Sequence, residues 1–274
     1  MPTPSPSPAS SSASSVSSEE FSRVVAALRA AGCVFAEDEA RLILGTARTP
    51  AEATAMVERR AAGLPLEHVL GWAEFHGLRI AVEPGVFVPR RRTEFLVDQA
   101  LARVPDARVV VDLCCGSGAV GAALAAALGT VELHAADIDP AAVRCARRNI
   151  APHGGQVHAG DLFAALPDRL RGRVGILAAN VPYVPTGEVA LLPAEARDHE
   201  PLTALDGGSD GLGVLRRVAA EAPGWLAPGG CLLVETSERQ ARAAVEAFTR
   251  AGLAAEPAVC DELSAHVIVG TRQA

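Results

Sequence analysis

From about residue 93 onward, the chain alternates short apolar runs with longer segments whose apolar positions recur at helical spacing. The short runs lack polar alternation, as expected of strands buried on both faces of a parallel sheet. The expected strands are residues 109–113, 131–136, 156–159, 173–179 and 231–235. The expected helices are residues 119–128, 140–149, 212–222 and 238–251. Because right-handed crossovers bring successive strands into one sheet, this alternation predicts an α/β fold with a doubly wound, mostly parallel sheet.

The remaining segments have other patterns. Residues 1–18 are almost entirely Pro, Ser and Ala, which is typical of a disordered tail. Residues 19–65 have helical spacing, and Thr49-Pro50-Ala51-Glu52 predicts a capped helix start. Residues 66–92 carry aromatic and β-branched residues between glycines, which predicts a β-hairpin linker. Two apolar runs near the C-terminus, 254–260 and 266–270, are expected to pair as an antiparallel hairpin. The expected organisation is a tail, a small helical domain, a linker and a sheet domain, over residues 1–18, 19–65, 66–92 and 93–274.

The composition and charge exclude several classes of protein and of binding site. The chain has 274 residues, of which 49% are hydrophobic, enough for one sizeable core and a smaller domain. A net charge of -7 gives no broad basic surface, so we expect no direct binding of nucleic acid. Six cysteines without a CxxC pair or a neighbouring His cluster predict reduced thiols in a cytoplasmic protein and no metal site. No apolar run of about 18 residues and no signal-peptide pattern is present, so we expect no membrane association.

The most informative stretch is Asn180-Val181-Pro182-Tyr183, directly after the expected strand 173–179. Open α/β sheets bind ligands at the carboxyl ends of their strands. Pro182 fixes its own φ and biases Val181 toward an extended conformation, so the Asn180 side-chain oxygen and the Val181 carbonyl can face one point. Two such acceptors suit a planar NH2 group, whose face Tyr183 can cover. Taken alone, the tetrapeptide is equally typical of a strand-to-loop turn that ends at a proline.

Three earlier strand ends carry residues suited to a nucleotide-like cofactor. The first strand runs into a glycine loop, where backbone can approach a ligand closely: Asp112-Leu113-Cys114-Cys115-Gly116-Ser117-Gly118. Asp137 ends the second strand and suits a ribose diol, because a carboxylate can accept two hydroxyl hydrogens. Asp161 follows the third strand and could receive an adenine amino group, with Leu162 against the ring. A helix N-cap is the alternative for each acid, and it fits Asp139 better than Asp137.

The glycine loop, the acid, Gly160-Asp161-Leu162-Phe163 and the tetrapeptide therefore follow four strands in order. This order resembles the class I S-adenosylmethionine-dependent methyltransferases and, more closely, the protein N5-glutamine methyltransferases. The resemblance covers about residues 22–272. Further segments that look like the family's are Leu66-Glu67-His68-Val69-Leu70-Gly71-Trp72-Ala73-Glu74-Phe75-His76-Gly77-Leu78, Val88-Pro89-Arg90 with Thr93-Glu94, and the loop 199–212.

The resemblance implies a Rossmann-like methyltransferase sheet preceded by a helical substrate-recognition domain. It also implies methyl transfer from S-adenosylmethionine to the side-chain amide nitrogen of a glutamine in a protein. A peptide chain release factor is the first expectation for that protein, and a ribosomal protein the second. Asn180, Val181, Pro182 and Tyr183 would be catalytic. Asn180 would also contact the cofactor, together with Asp112, Cys114, Cys115, Gly116, Ser117, Gly118, Asp137, Asp161 and Leu162.

The chain departs from the family pattern at four positions. Val181 stands where the family usually has proline, which loosens the turn but keeps the carbonyl. Cys114 stands where the family usually has glycine, and its side chain could narrow the methionine pocket. Arg91 and Arg92 replace a proline and an acid. The resulting cluster of three arginines could bind an acidic partner surface or form an ordinary solvated face.

Several alternatives remain open at this point. The acceptor could instead be an exocyclic amine of a nucleic acid base, or a small-molecule amine or amide, because each presents a similar NH2 group. From another class, the chain could be a non-catalytic module that binds a cofactor or a partner. His199 could accept a proton, or it could make a structural hydrogen bond.

Overall fold

The structure is a computed structural model that describes residues 17–273 and consists of two compact units, which meet in the sequence between Leu70 and Gly71. The tail expected over residues 1–18 lies outside the described residues apart from its last two. Ser17 has an extended backbone and caps the first helix, because its side chain accepts the Glu20 backbone N–H at 3.1 Å, and Ser18 is the first residue of that helix.

The first unit is helical. Thr49 caps its third helix by accepting the Glu52 N–H at 3.1 Å, as the sequence predicts. The core contains the buried side chains of Leu28 and Ile43, and a largely buried Arg60–Glu39 ion pair adds a polar contact between the second and third helices. The helices are α1 Ser18–Ala30, α2 Ala36–Thr46, α3 Pro50–Ala61 and α4 Leu66–Leu70.

The last of these helices corrects the predicted linker, because a hairpin was expected from residue 66. Leu66–Leu70 is instead a helical turn, in which the Val69 N–H donates to the Pro65 carbonyl at 3.1 Å. Pro65 is suited to the start of a helix, and leucine and glutamate are good helix formers. The antiparallel hairpin is confined to β1 Trp72–Phe75 and β2 Leu78–Ala81.

The second unit is built on a seven-stranded sheet. Its strands are β3 Val109–Leu113, β4 Glu132–Asp137, β5 Gln156–Ala159, β6 Val174–Ala179, β7 Leu226–Thr236, β8 Ala254–Cys260 and β9 Ala265–Thr271. Their order is β5-β4-β3-β6-β7-β9-β8. β3 to β7 are parallel, and β9 runs antiparallel to both of its neighbours. The predicted sheet and terminal hairpin are therefore confirmed, although β7 begins five residues earlier than expected.

Helices cover both faces of this sheet, which explains why its central strands are apolar throughout. In β3, Val110 packs with Leu96 and Leu124 on one face, while Val111 packs with Leu215 and Phe248 on the other. The helices are α5 Glu94–Arg103, α6 Ala119–Leu128, α7 Pro140–Ile150, α8 Ala194–His199, α9 Leu202–Leu205, α10 Gly213–Glu221 and α11 Glu238–Arg250. Across residues 17–273, no helix combines the length and apolar character needed to cross a membrane.

The register of the parallel strands brings their carboxyl ends to one edge of the sheet. Leu113 at the end of β3 lies opposite Ala136 in β4 and Ala179 in β6. Asp137 lies opposite Ala159, the last residue of β5. The loops that follow these four strands therefore meet at the same edge, where the sequence places its candidate residues.

Candidate active site

A cavity of about 630 Å³ lies at this edge of the sheet, within the size range of small-molecule and cofactor sites. It is lined by every predicted site residue except Gly118: Asp112, Cys114, Cys115, Gly116, Ser117, Asp137, Asp161, Leu162, Asn180, Val181, Pro182 and Tyr183. Gly118 instead precedes α6 with φ +78°, and a Cβ there would lie 3.0 Å from Ile150 Cδ1. We therefore assign Gly118 a packing role and not a lining one.

The glycine loop adopts a left-handed backbone at two of its positions besides Gly118. Gly116 has φ +53°, which glycine adopts readily. Cys114 has the same φ of +53°, a conformation that costs a residue with a Cβ roughly 1–2 kcal/mol. The Asn149 side chain donates to the Ser117 carbonyl at 2.8 Å and holds the far end of the loop. The loop is therefore fixed by contacts to its neighbours and not only by its own sequence.

Asp137 joins the first two strand ends. One carboxylate oxygen accepts the Gly116 N–H at 2.8 Å and the other accepts the Asp139 N–H at 2.9 Å. Each oxygen keeps a second lone pair, so the group can still receive a hydroxyl. Burial raises the pKa of Asp137, and the backbone donors partly oppose this rise. Asp139 is the N-cap of α7 and accepts the Ala141 N–H at 2.7 Å, as the sequence favours.

Asp112 is a fully buried carboxyl at the end of β3. Its Oδ2 accepts the Gly121 backbone N–H at 2.8 Å. Burial raises the pKa of Asp112 to about 7, and the nearby charge of Asp137 acts in the same direction. A cationic ligand in the cavity would lower this pKa, because it would favour the charged carboxylate.

Asp161 does not cap the short helix that follows it, since its side chain forms no capping hydrogen bond. It pairs instead with Arg217 of α10, with Nη2 donating to Oδ2 at 2.6 Å. Both side chains are about half exposed, and both residues line the cavity. Arg217 had no distinguishing signal in the sequence, because it lies 56 positions from Asp161.

Two groups of the tetrapeptide have no partner within residues 17–273. The Asn180 side-chain amide forms no hydrogen bond there, and the Val181 carbonyl accepts none. The Val181 side chain is 1% exposed and packs into the core, which holds the turn in place although position 181 lacks the proline that is usual in the family. Both polar groups therefore remain available to a ligand in the cavity they line.

Tyr183, by contrast, is held at both ends. Its hydroxyl donates to Glu235 Oε1 at 3.1 Å and accepts from Arg92 Nη2. Its carbonyl accepts the Gln240 side-chain amide at 2.8 Å. Burial, followed by the charge of Glu235, raises the pKa of Tyr183, so the phenol stays protonated. Among these partners, sequence reasoning named only Arg92, and for a different role.

The loop 199–212, matched above only by family resemblance, packs against the backbone of the tetrapeptide. A Cβ at Gly211 would lie 2.2 Å from the Tyr183 carbonyl oxygen. A Cβ at Gly207 would lie 2.6 Å from the Pro182 carbonyl oxygen. Only glycine allows this approach, so these two residues support the tetrapeptide from behind.

The arginine cluster is only partly the solvated face considered above. Arg90 donates to the buried carboxylate of Glu200 at 2.6 Å, and Arg92 donates to the buried carboxylate of Glu235 at 2.9 Å. The Arg91 side chain is exposed and has no ion-pair partner in the described part of the chain. The two interpretations offered for the cluster therefore apply to Arg91 alone.

His199 takes neither of the roles considered for it. It does not line the cavity, and its side chain forms no hydrogen bond with any residue that the structure describes. All six cysteines, which lie within the described range, are free thiols.

Comparison with known proteins places this geometry in a family. The methyltransferase small domain matches residues 77–186. A solved methyltransferase structure from Pyrococcus furiosus has the same fold, with a TM-score of 0.55 and 16% identity over 82% of this chain and 100% of that one. A 4-amino-L-phenylalanine/4-methylamino-L-phenylalanine methyltransferase from Streptomyces pristinaespiralis is 38% identical over 71% of this chain and 68% of its own.

Two release factor glutamine methyltransferases are also similar. That of Geobacter sulfurreducens is 41% identical over 72% of this chain and 69% of its own. That of Deinococcus radiodurans is 38% identical over 86% of this chain and 91% of its own, so its alignment extends into the helical unit. On this evidence the chain belongs to the release factor glutamine methyltransferase family.

Proposed function

We propose that this chain transfers a methyl group from S-adenosylmethionine to the side-chain amide nitrogen of a glutamine in a peptide chain release factor. The observation that carries the proposal is the Asn180–Tyr183 turn at the end of β6. There a side-chain amide and the Val181 carbonyl lack partners beside a fixed aromatic ring. A primary amide offers two N–H donors on a plane, which is the complement of this arrangement.

The residues at the other strand ends fit the cofactor. The loop 114–118 brings backbone to the cavity, and Asp137 keeps lone pairs for ribose hydroxyls. Asp112 has a raised pKa, which a neighbouring ammonium group would lower. Asp161 and Leu162 line the same cavity, and we assign them to the adenine ring. S-adenosylmethionine supplies, when bound, an electrophilic methyl group on a positively charged sulfur.

In the proposed mechanism the protein acts by orientation. The acceptor NH2 donates to the Asn180 side-chain oxygen and to the Val181 carbonyl, while the Tyr183 ring packs on the amide plane. An amide nitrogen is a poor nucleophile because its lone pair is delocalised, so alignment matters. Orientation can contribute several of the roughly 7–11 kcal/mol available to well-aligned reactions. The two acceptors also bind more strongly as positive charge develops on the nitrogen. The positively charged amide nitrogen formed by methylation is strongly acidic and can lose its surplus proton to water, so the scheme needs no strong general base.

The helical unit supports a protein acceptor. The alignment with the Deinococcus radiodurans relative extends into it, as noted above. We assign substrate recognition to this unit, and we propose that the enzyme acts in the cytoplasm on a soluble protein, with a ribosomal protein as the next acceptor class. The catalytic unit supplies the chemistry through residues from Gly71 onward.

A small-molecule amine is the second candidate acceptor. The Streptomyces pristinaespiralis relative carries the name of an enzyme that methylates an aromatic amine of an amino acid, and it is similar over 71% of this chain. An arylamine also presents a planar NH2 group. Val181 stands where the family usually has proline, and this difference at the acceptor end is the reason to test small-molecule amines.

The deciding experiment is a methyl-transfer assay with labelled S-adenosylmethionine, using a cell extract, a purified release factor and 4-aminophenylalanine as separate acceptors. We expect label on one glutamine of the release factor, located by digestion and mass spectrometry. Asn180→Ala should lower turnover by about a hundredfold or more, as for loss of one preorganised polar group. Its cofactor dissociation constant, measured by calorimetry, should rise only a few-fold, because Asn180 is only one of several expected cofactor contacts. Arg242→Ala, on the exposed side of α11, is the matched control.

Other outcomes separate the alternatives. Label on a nucleic acid base or on the small molecule would keep the methyltransferase and replace the acceptor. Cofactor binding without transfer to any acceptor would indicate a non-catalytic module. Full activity of Asn180→Ala would contradict the proposed mechanism.

A further inference from the structure

We propose that Arg92 is a positioning residue that sets the orientation of the Tyr183 ring through a shared contact with Glu235. This inference rests on the proposed function, because Tyr183 is there the residue that packs on the acceptor amide. Arg92 stands where the family pattern has an acid, so its role is a property of this chain and not of the family resemblance.

Arg92 and Tyr183 both donate to the same oxygen of Glu235. Arg92 Nε donates to Glu235 Oε1 at 2.9 Å, and the Tyr183 hydroxyl donates to the same oxygen at 3.1 Å. Arg92 Nη2 also donates to the Tyr183 hydroxyl. The guanidinium therefore holds the phenol oxygen and its acceptor together, and the rigid planar donor fork suits this two-point contact.

Glu235 is itself immobilised. Its side chain is 2% exposed, and its second oxygen accepts the Thr93 hydroxyl at 2.6 Å. Thr93 and Arg92 are adjacent in the segment that precedes α5, so one short stretch of chain holds both oxygens of the carboxylate. A buried carboxylate with both oxygens bound is a fixed anchor for the tyrosine.

The charges reinforce the geometry. Although burial opposes the charge of Arg92, the neighbouring Tyr183 and Glu235 raise its pKa above the ordinary value. The guanidinium therefore stays positive and compensates the buried Glu235 carboxylate. Removal of Arg92 would leave that anion with two neutral hydroxyl donors only, which is an unfavourable state for a buried charge.

The backbone of Tyr183 is fixed separately, by Gln240 at its carbonyl and by the close approach of Gly211. The freedom that remains to this residue is the tilt of its ring. Arg92 lines the cavity beside it with 44% of its side chain exposed, so it acts where an acceptor enters. A change in ring tilt would misalign the acceptor amide and leave the cofactor end untouched.

The test compares Arg92→Leu, Arg92→Lys and the control Arg242→Leu, whose arginine is exposed on α11 and pairs with the exposed Glu246. We expect Arg92→Leu to lower kcat about ten- to a hundredfold, the scale of a small misplacement of reacting groups. Cofactor affinity should change less than about twofold, since the hydrogen bonds of Arg92 within residues 17–273 go to Glu235 and Tyr183. Arg92→Lys should recover part of the loss, because lysine keeps the charge and lacks the fork. Arg242→Leu should retain wild-type kcat.

A second readout needs no acceptor. Tyr183 is the only tyrosine in the chain, so protein labelled with ¹³C at the tyrosine ring carbon that bears the hydroxyl gives one resonance. We expect Arg92→Leu to shift and broaden this resonance, and Arg242→Leu to leave it unchanged. Combining Arg92→Leu with Tyr183→Phe should lower kcat little more than either change alone, because each substitution removes the same contact between the Arg92 guanidinium and the Tyr183 hydroxyl.

An unchanged tyrosine resonance in folded Arg92→Leu would overturn the proposal, as would independent, multiplying effects of the two substitutions on kcat. If wild-type protein methylates no protein acceptor, the proposed function fails instead. The resonance then still decides whether Arg92 orients Tyr183.

Discussion

Asp161 and Arg217 form an ion pair across the mouth of the cavity, with Nη2 and Oδ2 2.6 Å apart. The pair connects the loop after β5 with α10, and it uses one oxygen of a carboxylate assigned to the adenine end. The other oxygen remains open to a ligand. Arg217 therefore fixes the direction in which Asp161 presents its remaining acceptor.

We expect Arg217→Ala to weaken cofactor binding about three- to tenfold while lowering the free energy of unfolding by less than about 1 kcal/mol, because the pair is half exposed. Calorimetric titration with S-adenosylmethionine measures the first quantity and urea denaturation the second. Arg242→Ala, which breaks an exposed ion pair on α11, is the control. If Arg217→Ala binds S-adenosylmethionine with wild-type affinity, Arg217 does not orient the Asp161 carboxylate for the cofactor.

Asp112 predicts a pH dependence of stability. Burial raises its pKa to about 7 in the folded protein, compared with about 3.9 in an unfolded chain. The folded state therefore holds this proton more tightly, and the free energy of unfolding falls as the pH rises from about 4 to about 7. The contribution is at most about 4 kcal/mol. Asp112→Asn should remove this part of the decline, as measured by urea denaturation between pH 4 and pH 8. Parallel curves for the two proteins would refute the assignment.

Gly211 predicts a steric requirement behind the tetrapeptide. Its φ is +75°, and a Cβ would lie 2.2 Å from the Tyr183 carbonyl oxygen. Gly211→Ala should therefore lower the free energy of unfolding by more than about 2 kcal/mol, since the clash adds to the backbone strain. Gly229 offers a matched control with φ +76° and no atom within 4 Å of the added Cβ. Gly229→Ala should cost only about 1 kcal/mol. Equal costs at the two positions would mean that the loop moves aside freely.

The cysteines predict a pattern of chemical reactivity. Burial raises the pKa of both Cys114 and Cys115, with neighbouring carboxylates adding to the effect. Because the thiolate is the reactive form, these two residues should resist alkylation at pH 8. Cys33 and Cys260, which are partly exposed and lie outside the cavity, should be modified first. Timed treatment with iodoacetamide followed by peptide mapping measures the order. Early modification of Cys114 would show that the glycine loop opens in solution.

The strands, their mostly parallel arrangement and the location of the cavity could be predicted because all three follow from local patterns. A parallel sheet requires apolar runs separated by helices, and residues directly after those runs must lie at one edge. The tetrapeptide and Asp137 were found in this way. Their assignment to acceptor and cofactor stays a prediction until a ligand is bound.

The supporting contacts could not be predicted in the same manner. Arg92 and Glu235 lie 143 positions apart, and they meet only because the segment before α5 passes over the end of β7. Gln240 and Arg217 likewise reach the site from helices whose sequences look ordinary. Nothing in the local pattern of these residues separates a partner of the site from a surface side chain. The error at Leu66–Leu70 has another source, because five residues with mixed propensity provide too short a pattern to distinguish a helical turn from a strand.

The two hydrogen bonds that Asp137 accepts, from the backbone amides of Gly116 and Asp139, have a consequence for ligand exchange. Both carboxylate oxygens accept backbone amides, so the loop after β3 is fixed to the end of β4. Little conformational entropy remains to be lost there on binding. Under the proposed function, S-adenosylmethionine can therefore be exchanged after each turnover without rearrangement of this loop.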